Sequence, residues 1–133
     1  MATQQALSID QNANTSIYLT VQVLTNQLLP YNATSNPYVA VDITGASFVM
    51  NIAQDYGTAP LIVASTANTK ITTTDAPNGL ATVSFVPADT SSVPFSSSQD
   101  NAWVGVYDIY ITDVTGLKTR VFYGTFTINR AVA

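Results

Sequence analysis

Trp103-Val104-Gly105-Val106-Tyr107-Asp108-Ile109-Tyr110-Ile111-Thr112, followed by Asp113-Val114-Thr115-Gly116 and then by Thr119 to Ile128, is the stretch that decides the fold. In a strand, successive side chains point to opposite faces, so a period of two sorts these residues into two sets. Trp103, Gly105, Tyr107, Ile109 and Ile111 share one face; Val104, Val106, Asp108 and Tyr110 share the other. The first set predicts a buried face, with Phe126 of the returning strand inside beside it. Asp113 to Gly116 carries turn chemistry, so Thr119 to Ile128 comes back as the antiparallel partner.

Upstream, Ala81, Val83 and Phe85 alternate with Thr82 and Ser84 until Pro87 stops the strand. Ile71 opens a weaker strand that runs into Asp75-Ala76-Pro77-Asn78-Gly79, where Asn-Gly tolerates positive φ and predicts a tight hairpin. Leu61 to Ser65 form a short strand. Phe48, Met50 and Ile52 alternate with Ser47, Val49 and Asn51 after the Thr44-Gly45 turn, and Ile17, Leu19, Val21 and Val23 alternate with Ser16, Tyr18, Thr20 and Gln22. Residues 87 to 100 read as a long surface connection with one helical turn started by Asp89 or Thr90. Asn26 to Val39, with Pro30 and Pro37, reads as a loop or edge excursion. Six to eight short strands punctuated by turns predict an all-β sandwich of two stacked antiparallel sheets. With no repeat and no linker, residues 1–133 form a single domain, residues 1–14 being an extended N-terminal arm.

Composition narrows the function. Among the 133 residues, 47% are hydrophobic and only 9% charged, with no Cys and no His. The commonest general base and the thiolate nucleophile are therefore missing. All eight acids are Asp, and only Lys70, Lys118, Arg120 and Arg130 are basic. A net charge of −4 offers no basic footprint for a phosphate backbone, which argues against nucleic acid. The longest apolar runs fall far short of the roughly 20 residues that a membrane helix needs, and the N-terminus shows no signal-peptide pattern. These features predict a non-enzymatic structural or binding module, without cofactor.

Asp42-Ile43-Thr44-Gly45-Ala46-Ser47-Phe48-Val49-Met50-Asn51-Ile52 resembles the opening of small immunoglobulin-like domains found in structural proteins of tailed bacteriophages. Asn78-Gly79, Val106-Tyr107-Asp108-Ile109-Tyr110-Ile111-Thr112, Gly116, and Arg120-Val121-Phe122-Tyr123-Gly124-Thr125-Phe126-Thr127-Ile128 resemble that family's later elements in the same order. The resemblance covers about residues 40 to 130. It implies an immunoglobulin-like antiparallel β-sandwich of about seven to eight strands. It further implies a virion component, in the tail or baseplate or on the head, made in the host cytoplasm. Such a protein acts by contacts with other virion proteins and copies of itself. The alternative is a carbohydrate- or receptor-binding module of the adsorption apparatus, recognising a host-surface glycan.

Candidate sites are few. Asp10-Gln11-Asn12-Ala13-Asn14 begins like a calcium loop, but Val21 stands where the bidentate Glu is needed, so an Asx-rich turn is expected and no metal. Asp108 with Asp113 or Asp42 is the only candidate carboxylate pair. Without His, Cys or Glu to complete it, Asp108 is expected solvated or paired with Arg120 across the last hairpin. No catalytic, cofactor-binding or metal residue is therefore assigned. Tyr18, Tyr31, Tyr38, Tyr56 and Tyr110 are candidates for a stacking surface, against the plainer reading of amphipathic cover on sheet faces. For an assembly module, residues 1–10, 26–40 and 87–101 are the expected contact segments, and deletion of residues 1–9 is expected to leave the domain folded.

Overall fold

The computed structural model describes residues 3–24, 38–97 and 99–132. Eight strands of four or more residues build two facing sheets, in the order of an immunoglobulin-like sandwich. One sheet runs β7(Ile62–Ser65)-β6(Ser47–Ala53)-β10(Ala102–Thr112)-β11(Lys118–Asn129), with β2(Leu7–Asp10) beside β11. The other is β3(Thr15–Thr20)-β9(Leu80–Phe85)-β8(Ile71–Asp75). Among the described residues there are three shorter strands: β1(Thr3–Gln4) on β11, and a ribbon of β4(Gln22–Leu24) with β5(Tyr38–Ala40). The proline-rich stretch read as a loop lies largely outside the described residues, and its last part is β5.

The period-two reading of the decisive hairpin holds. Trp103, Tyr107, Ile109 and Phe126 are all buried, at 4% exposure or less. They meet Phe48, Met50 and Ile52 from β6, and Val83 and Phe85 from the opposite sheet. Phe126 sits edge-on to both Phe85 and Tyr107, at ring-centroid distances of 6.1 and 6.0 Å, which joins the two layers through aromatic contacts. At the base of the ribbon the chain leaves the sheet: the Val21 N–H donates to the Gly79 carbonyl and the Val41 N–H to the Val21 carbonyl, both at 2.9 Å. The expected Asn-Gly hairpin is a 3₁₀ turn over Ala76–Asn78 closed by Gly79 at φ +73°. A Cβ there would lie 2.6 Å from the Val21 carbonyl oxygen, so close approach as well as φ selects glycine. Pro87 both stops β9 and begins the short helix α1(Pro87–Thr90).

The N-terminal arm differs from a dispensable tail. Residues 3–4 and 7–10 run parallel to β11, with Leu7 opposite Phe126 and Ile9 opposite Ile128. Ile9 is 3% exposed and belongs to the core. Deletion of residues 1–9, expected to leave the domain folded, removes a core side chain and a sheet strand and so carries a cost in stability that the sequence reading did not assign.

Candidate functional site

The outer face of the β7-β6-β10-β11 sheet carries the most chemistry. Cross-strand register places Val49, Tyr110 and Arg120 in one row, and Val63, Asn51, Asp108 and Tyr123 in the next. Asp108 accepts a hydrogen bond from the Asn51 amide at 3.1 Å. The expected Asp108–Arg120 pair is not formed. Arg120 stands opposite Tyr110, and a bulge after Ile109, which inserts one extra residue in β11, sets Tyr123 rather than Phe122 opposite Asp108. The Arg120 guanidinium stacks 4.2 Å from the centre of the Tyr123 ring, and the Lys118 ammonium lies 4.7 Å from that of Tyr110. Among the described residues, the one ion pair is Lys70–Asp89 at 2.7 Å, which ties the start of β8 to α1.

Asp108 also lines an open cleft of about 210 Å³ between this face and the 54–60 loop, together with Asn51, Asp55, Tyr56 and Thr58. The loop is held by the Gln54 carboxamide, which accepts from the Trp103 indole N–H at 2.9 Å. No sequence motif marked this cleft, because its walls come from Asn51 and Asp108, 57 residues apart, and a loop of ordinary turn residues.

The other carboxylates proposed as partners of Asp108 are engaged locally instead. Asp42 accepts from the Thr44 N–H and hydroxyl, and Asp113 from the Thr115 hydroxyl and N–H and the Leu117 N–H. The Thr44 hydroxyl in one case and the Thr115 hydroxyl in the other are the largest causes holding these carboxyls below their usual range. Both are turn-closing groups at one end of the sandwich, where Val114 packs against Gly45. They do not form a catalytic pair with Asp108.

At the opposite end, the Asx-rich turn folds as a clamp. The Gln11 amide donates to the Thr90 carbonyl and its oxygen accepts from the Ala131 N–H, while the Asn12 N–H donates to the Thr90 hydroxyl. Asp10 accepts from the Asn129 amide. Among the described residues, no three His, Cys, Asp or Glu side chains gather as a metal site.

Among the described residues, the candidate tyrosines are divided between the two sheets. Tyr18 projects from β3 at 80% exposure, Tyr56 lies on the 54–60 loop, and Tyr110 is half-buried on the other sheet beneath Lys118. Tyr31 lies outside the described residues, as does the side chain of Tyr38. Sequence reasoning missed the polar role of Tyr107: its hydroxyl donates to the Gln5 carbonyl at 2.7 Å, fastening the arm where it crosses Gly124. Burial, helped by nearby Tyr56, pushes this phenol up to about 12. A phenol raised from about 10 in the unfolded chain keeps its proton longer when folded, so its stabilisation is intact below pH 10 and lost as pH rises toward 12. Unfolding stability is expected to fall by roughly 2–3 kcal/mol over that window, with a shallower fall in Tyr107→Phe, as read from urea melts at stepped pH.

No family model matches this sequence, and no curated protein matches it.

Proposed function

We propose that the chain is a non-enzymatic structural protein of a tailed-bacteriophage virion, built into the tail, baseplate or head by contacts with other virion proteins and with copies of itself. The observation that carries this reading is spatial. The three longest segments resembling phage immunoglobulin-like domains, around residues 42–52, 106–112 and 120–128, lie side by side as β6, β10 and β11 of one sheet. The turns that introduce and join them meet at Gly45 and Val114. A surface poor in charge also suits assembly, since few ions must be stripped of water when subunits pack. Synthesis in the host cytoplasm followed by incorporation into the particle is the course this role requires.

The open cleft beside Tyr56 favours one second reading, a glycan-binding module, because an aromatic ring next to Asn51 and Asp108 offers a stacking face and polar partners for sugar hydroxyls. Mass spectrometry of purified particles tests both. The expected result is this chain at a fixed stoichiometry to the major structural proteins, and particles without it would overturn the assignment. If the cleft binds a glycan, Asn51→Ala with Tyr56→Ala leaves incorporation unchanged and abolishes adsorption to host cells. Unaltered adsorption removes the glycan reading and leaves the structural one.

A further inference from the structure

We propose that the free edge of β3 is a self-association edge, at which β3 of a second copy adds in antiparallel register. The proposal stands independently of whether the chain belongs to a virion.

An edge strand exposes unpaired N–H and C=O groups, and proteins guard such edges with charge, proline, bulges or side-chain caps. Three edges of this sandwich are guarded. On β7, the Asn68 side chain takes two outward groups, accepting from the Ser65 N–H and donating to the Val63 carbonyl, each at 2.9 Å. On β8, the ladder shifts between Thr73 and Asp75, and Lys70 stands at the strand's start. The arm beside β11 is broken into two short strands and ends on Asp10.

Among the described residues, the β3 edge has none of these. Thr15-Ser16-Ile17-Tyr18-Leu19-Thr20 pairs with β9 in unbroken register and carries no charge, no proline and no bulge. The Val21 N–H donates to Gly79 and the Ser84 N–H to Lys70, which fixes the alternation of the ladder. The peptide groups of Thr15, Ile17 and Leu19 therefore face β9, and those of Ser16, Tyr18 and Thr20 face outward. Among the described residues, no strand pairs with that side.

The occupant follows from the pattern of the strand itself. A two-fold axis at Tyr18 sets Ser16 opposite Thr20 of the second copy, and Tyr18 opposite its own counterpart. Hydroxyl–hydroxyl and aromatic–aromatic pairs are favourable cross-strand neighbours, and no like charges meet. Ile17 falls opposite Leu19 of the second copy on the core-facing side, so the alternation of both sheets is preserved. The interface is isologous and closes at two copies, giving one six-stranded sheet across the dimer.

Sedimentation of the full chain over a wide concentration range tests this. The wild type is expected to dimerise. Tyr18→Pro removes an N–H that faces outward and none that faces β9, so it should raise the dimer dissociation constant about tenfold or more with the far-ultraviolet spectrum retained. The double variant Ser16→Lys with Thr20→Lys should be monomeric, as should Ser16→Asp with Thr20→Asp, and mixing the two should restore a dimer. A wild type that stays monomeric at hundreds of micromolar overturns the proposal. A dimer indifferent to the charged variants also overturns it, because the contact then lies elsewhere.

Discussion

Truncating Phe126 to alanine is expected to lower the free energy of unfolding by roughly 3–5 kcal/mol, a large part of what a domain of this size possesses. The ring is fully buried and contacts aromatic residues of both layers, so its loss opens a cavity that neither sheet can close alone. Ile109→Ala, on the adjacent strand and equally buried, should cost roughly 2–5 kcal/mol. Thr112→Ala, half-buried at the end of the same strand, should change stability by no more than about 0.5 kcal/mol. Urea melts of the three variants check the assignment of faces: equal losses at Ile109 and Thr112 would contradict it.

Deletion of residues 1–9 is expected to remove roughly 3–5 kcal/mol, through the lost burial of Ile9 and Leu7, the parallel ladder to β11, and the Tyr107–Gln5 hydrogen bond. The full-length and shortened chains should therefore differ clearly in urea midpoint, and the shortened one should bind a hydrophobic dye at lower denaturant. An unchanged midpoint would mean that the arm rests on the sandwich without stabilising it. A point variant separates packing from pairing: Ile9→Ala keeps the ladder and should recover part of the lost stability.

The parts of this fold that were legible in the sequence are those whose signal is local. Alternation from Trp103 to Ile109 is written into neighbouring residues, and burial followed it; from Ala81 to Phe85 it followed except at Thr82, which is buried, and Ile111 at the strand's end is only half-buried. The helical turn expected to start at Asp89 or Thr90 instead starts at Pro87 and ends at Thr90, because Asp89 acts from inside it, its carboxylate accepting from the Val86 N–H at 2.8 Å. The docking of the arm was not legible, because nothing in Leu7–Asp10 specifies a parallel neighbour at Phe126–Asn129. Nor was the bulge after Ile109, a single-residue change of register that sets Tyr123 opposite Asp108, or the stacking of Arg120 on the Tyr123 ring. The cleft was hidden for the same reason: Asn51 and Asp108 are unremarkable until two strands bring them within hydrogen-bonding distance.

The pairing of β2 with β11 also sets the order in which the molecule can be completed. Asp10 and Asn129, joined side chain to side chain, are 119 residues apart, so β2 has no sheet partner until β11 has been made. During synthesis Leu7 and Ile9 must wait in water while β3 to β10 emerge. Closure between the two ends of the chain is among the most entropically costly contacts to form early, which places it late on the folding route. The nascent protein is thus a sandwich lacking β11, whose place between β10 and β2 is the last to be filled. Chains released early by truncation would lack β11 and leave Leu7, Ile9 and the edge of β10 uncovered, an invitation to pair with the wrong partner.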